Sequence, residues 1–282
     1  MDRRTYLVRH PDACEGLLVE RGTTERGVGW WVPEVKHRLL ADFIEATWGA
    51  RSKFPSRVFI DLFCGPGRVQ VEGEDFTRDG GSLVAWRQSQ LHPEGQFTRV
   101  IVGELKSERV DACQARLSSA GASVVPLKGT ASETAEAAFA AVPPSSLCLA
   151  YLDPYNLQHL SFSIIETLAR LPKIDFAVHF STQDLTRNVE LEFERLRFDD
   201  FAPGWQRSVD PQKLGKRTLR EALFEYWCNK VKGLGFVFSE QMPLIKDEKN
   251  RPLYRLVFFS RSAFPNAKWS DVAQGSTRDM FS

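Results

Sequence analysis

The amino-acid sequence predicts an α/β fold, a doubly wound and mostly parallel sheet of seven strands that ends in an antiparallel C-terminal hairpin. Three observations carry that expectation. Five β-branched or apolar runs between residues 58 and 181 alternate with helical patterns. Two further apolar runs, 235–242 and 253–260, are joined by a polar turn and no helix, which is a hairpin signature. A glycine turn, Gly65-Pro66-Gly67, directly follows the first run, as a tight connection from a strand to its helix would.

The elements follow in order. Residues 1–30 are charged and irregular, with Gly22, Gly27 and Gly29. From Val32 the pattern turns helical: Pro33 suits a first turn, and Val35, Leu39, Leu40, Phe43 and Ile44 recur at helical spacing as far as Gly49. VFIDLF (58–63) is the first strand, and GSLVAWRQSQ (81–90) opens a helix with Ser82 or the glycines before it at the cap. RVIVGEL (99–105) is the second strand, and SERVDACQARLSSAG (107–121) a helix closed by Gly121. SVVPL (123–127) is the third, followed by SETAEAAFAAV (132–142), a helix capped at Ser132. SLCLAYL (146–152) and DFAVHFS (175–181) are the fourth and fifth strands, flanking a helix over 161–171. A long helix over 217–233 leads into the hairpin. The expected division is an N-terminal extension with its leading helix over 1–56, and an α/β domain over 57–282, packed as one unit.

Composition sets bounds. The chain has 282 residues, 43% of them hydrophobic and 26% charged, enough for a sizeable core. The formal net charge of +1 makes it no polycation, so nucleic-acid binding would need a local basic patch. Lys213, Lys216, Arg217 and Arg220 form a modest one, better read as a solvated helix face. The cysteines at 14, 64, 113, 148 and 228 are odd in number and lack zinc-ligand or disulfide-framework spacing, so no metal is expected. No signal peptide and no membrane-length apolar run is read, and the expected compartment is the cytoplasm.

Two constellations carry chemistry. The first surrounds Asp61-Leu62-Phe63-Cys64-Gly65-Pro66-Gly67. Glycines there let the backbone approach a ligand, and Gln70 stands where a dinucleotide fingerprint needs a third glycine or alanine, which argues against NAD. Asp61, ending an apolar strand, is expected to orient the glycine loop or a ligand's ammonium group. Glu104, ending the second strand beside Leu105, can accept both hydroxyls of a ribose. Three readings stay open for the charged segment Arg68–Asp79: a cover over the ligand, a contact with substrate, or a plain surface loop.

The second constellation is Tyr151-Leu152-Asp153-Pro154-Tyr155-Asn156. A carboxylate at the tip of a central strand, next to the switch point, is where open α/β sheets place ligands. Asp153 and a neighbouring carbonyl can hold an exocyclic amine, and Tyr155 can stack on a planar base at about 1–3 kcal/mol. His179 reads as a satisfied core histidine, Cys148 as a buried core thiol, and Trp30 and Trp31 as packing for the leading helix. The lack of a Pro-Cys pair argues against covalent activation of a cytosine ring.

Together these features resemble the Rossmann-like class I methyltransferases, which use S-adenosyl-L-methionine as donor. Phe63, Gly65, Pro66, Gly67 and Leu105 then join Asp61, Glu104 and Asp153 at the donor. Asp153-Pro154-Tyr155 is similar to the Asp-Pro-Pro-Tyr motif of amino-group methyltransferases, with one proline missing. Over residues 30–270 the chain resembles the three-Cys-motif partner protein family, through WVPEVKHRLLADFIEA (31–46), FIDLFCGPGR (59–68), DGGSLVA (79–85), LDPYNL (152–157), HFSTQDLTRN (179–188) and LYRLVFFSRSAFPNAKW (253–269). The resemblance implies a methyltransferase acting on a nucleobase amine of DNA or RNA, and a partner protein with a three-cysteine motif. Where family members carry Gly-Asp at the adenine, this chain has Gly129-Thr130, so Thr130 takes that place. Asn156, Asp184, Arg187 and Asn188 are expected to face substrate. The alternative function is a non-catalytic nucleotide- or partner-binding module.

Overall fold

The computed structural model describes residues 9–22, 25–185, 198–210, 213–247 and 249–279. Arg187 and Asn188 lie outside the described residues.

Five parallel strands, β1 (Arg57–Asp61), β4 (Arg99–Glu104), β5 (Val124–Lys128), β6 (Leu147–Leu152) and β7 (Ile174–Phe180), form the body of the sheet. Its order is β5-β4-β1-β6-β7-β10-β8, with β10 (Pro252–Ser260) antiparallel to β7. β8 (Val237–Phe238) and β9 (Leu244–Lys246) share the outer edge of β10. The sheet therefore has eight strands where seven were expected. The run 235–242 is strand only at Val237–Phe238, and the additional strand β9 begins after Pro243, which has no N–H for a ladder.

β1 alternates in burial partner as a two-sided strand must. Val58 and Ile60 join one apolar layer with Phe162, Ile165 and Trp227. Phe59 joins the other, with Leu39, Phe43, Trp86 and Phe258. The first layer is covered by α5 (Ala131–Ala141), α6 (Phe162–Leu168) and α8 (Lys216–Gly233). The second is covered by α1 (Arg38–Ala46), α3 (Gly81–Gln90), α4 (Ser107–Ser119) and α9 (Ala263–Asp279). The short helices α2 (Trp48–Arg51) and α7 (Phe198–Phe201) complete the set. No helix among the described residues is long and apolar enough to cross a membrane.

Two local departures bear on function. The leading helix opens as a π-helical turn, Val32–His37, before α1, a wide turn often found beside functional sites. The charged segment after the glycine turn is an antiparallel ribbon of β2 (Arg68–Gln70) and β3 (Thr77–Asp79). Residues from the N-terminal arm extend that ribbon: Glu20 N donates to Arg68 O at 2.9 Å, and Val28 N to Gln70 O at 2.7 Å. Arg116 fastens the arm to the glycine turn, pairing with Asp12 at 2.7 Å and donating to Pro66 O at 2.6 Å and Leu18 O at 2.7 Å. The segment 68–79 is thus an ordered ribbon held by the N-terminal arm, and its Arg68 and Val69 line the cavity described below.

Candidate active site

The carboxyl ends of β1 and β6 are neighbours, with Asp61 opposite Tyr151 in register. The sheet reverses its winding direction between these two strands, which makes their crevice the switch point where a ligand sits. A cavity of about 210 Å³ opens there, with the glycine turn, Asp61, Lys36, Asp153 and His179 on its walls.

The glycine turn needs its glycines. Gly65 and Gly67 have φ of 55° and 80°, the left-handed region that side chains resist. A Cβ on Gly67 would also lie 3.2 Å from Cys113 Cα, and one on Gly81 2.8 Å from the Tyr151 ring. Gly80 N donates to Gly67 O at 2.8 Å, closing the ribbon onto the turn.

Asp61 is 2% exposed. Its Oδ2 accepts from Ser82 Oγ at 2.5 Å and its Oδ1 from Phe63 N at 3.1 Å. It thus holds the start of the glycine loop against α3, the first of its two expected roles. Ser82 serves Asp61, and the helix cap is Gly80. Burial pushes the Asp61 carboxyl up to about 7, despite these two hydrogen bonds that favour the ionised form.

Asp153 is held from both sides. Lys36 Nζ donates to its Oδ2 at 2.7 Å, and His179 Nδ1 lies 2.6 Å from its Oδ1. Tyr151 OH is 3.4 Å from Oδ2. Burial opposes the charge, yet the Lys36 ammonium and the His179 ring hold the carboxyl far below the usual carboxylate range. His179 itself is pushed down by burial, against the raising effect of Asp153. Neither Lys36 nor a polar role for His179 was read from the sequence. A signal existed for Lys36: it stands at i with Leu39, Leu40 and Phe43 at i+3, i+4 and i+7, a lysine on an apolar stripe. Neighbouring His37 is 2% exposed, and its Nδ1 has no hydrogen-bond partner among the described residues.

A second cavity of about 720 Å³ adjoins the first and is lined by Glu104, Leu105 and Thr130. Phe63, Arg109 and Tyr155 line both cavities. Arg109 and Tyr155 OH both bond Glu20 Oε2 from the N-terminal arm, and Arg109 Nη2 also donates to Tyr155 OH at 3.1 Å. Glu104 accepts from Leu105 N at 2.9 Å and from Arg109 Nε at 3.3 Å. Glu20 and Arg109 were not anticipated, because Glu20 and Tyr155 lie 89 and 46 residues from Arg109 along the chain.

The remaining expected site residues divide. Pro154 and Tyr155 line the first cavity. Thr130 caps α5 in a reciprocal box with Glu133, accepting from Glu133 N at 3.3 Å and donating to Glu133 Oε2 at 2.8 Å. The cap is thus two residues before the expected Ser132, and the hydroxyl expected at an adenine is already engaged. Asn156 caps the short turn Leu157–His159, accepting from His159 N at 3.2 Å. Asp184 Oδ2 accepts from Leu157 N at 2.9 Å, bracing the segment after Asp153. Both were expected to face substrate, and here both hold backbone. Cys148 is a buried core thiol. Trp31 packs on the second apolar layer while Trp30 is exposed. Among the described residues no group of His, Cys, Asp and Glu could hold a metal ion.

No protein-family model and no curated protein matches the chain. Solved structures do. An O-methyltransferase from Bacillus cereus in complex with SAH covers 78% of this chain and 79% of its own at 9% identity, with a TM-score of 0.44. Cofactor-bound Rv0187 from MTB covers 79% of each chain at 15% identity, with a TM-score of 0.44. An rRNA methylase from Streptococcus thermophilus covers 80% of this chain and 93% of its own at 12% identity, with a TM-score of 0.39. At such distances the site has to be understood from its own geometry.

Proposed function

We propose that the chain is an S-adenosyl-L-methionine-dependent methyltransferase. One observation carries the reading: the glycine turn, Asp61 and Asp153 converge on a single crevice at the switch point, continuous in its walls with a second cavity beside Glu104. The first cavity alone is below the roughly 300–1,000 Å³ usual for small-molecule sites, and the second falls within that range. A long ligand with a nucleoside at one end and an amino acid at the other suits two cavities that share Phe63, Arg109 and Tyr155.

The fit is chemical as well as spatial. Gly65 and Gly67 give the loop its left-handed turn and let it pack closely on α4, Asp61 fixes the loop, and Glu104 and Leu105 wall the nucleoside end. The donor supplies an activated methyl group on a sulfonium. The protein supplies position and exclusion of water, which suffice for much of such a reaction. Against the adenine role of Thr130 stands its engagement in the cap.

The acceptor suggested by Asp153-Pro154-Tyr155, an exocyclic amine of a nucleobase, requires Asp153 as a receiving carboxylate. Each oxygen of Asp153 already accepts from Lys36 or His179, which weakens that acceptor. A nucleic-acid substrate and a three-cysteine-motif partner protein rest on the resemblance alone.

Titration calorimetry with S-adenosylhomocysteine tests the reading. Saturable binding that is lost in Gly67→Val supports it. Absence of binding to the intact chain sinks it and favours the non-catalytic module.

A further inference from the structure

We propose that the methyl acceptor is a hydroxyl oxygen and that His179 takes its proton, with Asp153 and Lys36 as positioning residues. This rests on the methyl-transfer reading above.

Four observations lead there. First, the ring's orientation follows from its partner. An ionised carboxylate can only accept, so the 2.6 Å contact makes His179 Nδ1 the donor and leaves Nε2 as the lone-pair atom of a neutral ring. Second, His179 lines the cavity, and among the described residues its Nε2 makes no hydrogen bond. A histidine that served only packing would not need a buried carboxylate to fix its tautomer.

Third, Lys36 reaches the other carboxylate oxygen at 2.7 Å, with only 8% of its side chain exposed. Asp153 is thereby kept ionised and aimed, which is the role an orienting carboxylate plays behind a general base. Fourth, the other groups near His179 are engaged or protonated. They are Asp153, Lys36 and His37 from the helical turn, Tyr151 from β6, and Tyr254 from β10, whose ring centroid lies 4.1 Å away. Asp153 is committed as an acceptor, and burial holds both tyrosines protonated. Burial also pushes His37 down to about 3. Asp61, on the same cavity wall with its carboxyl raised to about 7, already accepts from Ser82 Oγ and Phe63 N.

The chemistry decides between oxygen and nitrogen. A neutral amine, such as the exocyclic amine of a nucleobase, can shed its proton after attack, so it gains less from a base. A hydroxyl is a poor nucleophile until its proton leaves. The acceptor oxygen forms its bond to the methyl carbon as the carbon–sulfur bond breaks, with that pair going to sulfur. The hydroxyl proton passes to His179 Nε2 and then to solvent. Lys36, beside the same carboxylate, keeps a positive charge near the oxygen as negative charge develops on it.

The test uses the full chain with S-adenosylmethionine tritiated in its methyl group. Acceptors are RNA, DNA, protein and small-molecule fractions from a host lacking this gene, and labelled products are digested and separated. The expected product is an alkali-stable methyl ether. His179→Gln should lower transfer by about 100-fold or more, with S-adenosylhomocysteine affinity within threefold of the parent. Its residual rate should climb with pH between about 7 and 9, as hydroxide replaces the base. Label on nitrogen, an alkali-labile ester, or full activity in His179→Gln would each overturn the proposal. S-adenosylhomocysteine binding with no label in any fraction would overturn it too, and would leave the donor site standing. Absence of that binding would instead remove the methyl-transfer reading itself. A measurement independent of the acceptor is nitrogen-15 NMR of His179: the Nδ1–H tautomer is expected, and an Nε2–H tautomer overturns the proposal.

Discussion

Lys36 and Asp153 lie 117 residues apart in the chain, yet their charged atoms are 2.7 Å apart, with 8% and 19% of their side chains exposed. The leading helix is therefore part of the site, because one of its residues determines the state of the carboxylate at the tip of β6. A buried pair of this kind is weak evidence of net stabilisation, but breaking it is costly.

Lys36→Met should accordingly destabilise the fold by about 3–5 kcal/mol, since it leaves a buried carboxylate with one neutral partner. Adding Asp153→Asn to the same chain should recover part of the loss. Urea denaturation of the two single variants and the double variant measures this. A loss in the double variant equal to the sum of the two single losses would show that the pair is not coupled.

The two buried aspartates should pull stability in opposite directions with pH. Asp153, whose pKa is depressed in the fold, contributes stability above about pH 3.9 that is lost as pH falls through its folded value. Asp61, raised to about 7, contributes stability that is full below about pH 3.9 and is lost as pH rises through 7. Asp61→Asn should therefore flatten the decline in melting temperature between about pH 5 and 8. An unchanged pH profile would show that Asp61 titrates normally.

Gly67→Ala combines a φ of 80° with a Cβ 3.2 Å from backbone of α4. It should cost about 1–2 kcal/mol from the dihedral alone, and weaken S-adenosylhomocysteine binding more than tenfold. Gly121→Ala, at φ 85° with nothing within 4 Å of its Cβ, shares the dihedral cost and should spare binding. Calorimetry on the two variants separates strain from the ligand cradle.

Thr130→Ala should cost about 1 kcal/mol through loss of the capping box. Because its hydroxyl already serves Glu133, S-adenosylhomocysteine affinity should change less than threefold. A larger drop would restore Thr130 to the donor site.

The order of the parallel strands and their helices through β7 was legible because it depends on local periodicity, whereas the short β2–β3 ribbon read only as a charged segment. VFIDLF reads as a strand from its own residues, and Val58 and Ile60 part from Phe59 as a two-faced strand requires. The glycine turn was legible for the same reason, since the dihedrals of Gly65 and Gly67 are a property of those residues. The run 235–242 was read too long, and β9 after it was missed, because its apolar residues outweighed Ser239, Glu240, Gln241 and Pro243. That Asn156 and Asp184 hold backbone was not legible, because side chains that hold backbone carry the same residue types as side chains that hold ligands.

The sequence by itself thus determined the α/β class, the location of the crevice, and the two carboxylates at its lips. The tertiary structure alone decided what those carboxylates do. Pairings such as Lys36 with Asp153, Glu20 with Arg109 and Tyr155, and Arg116 with Pro66 join residues with no short-range relation in the chain. Hydrophobic periodicity reports which face of an element is buried, and it is silent about which charge from another element arrives there. That is settled only when the sheet closes and the N-terminal arm lies across the glycine turn. At that point burial makes each charge depend on its partner.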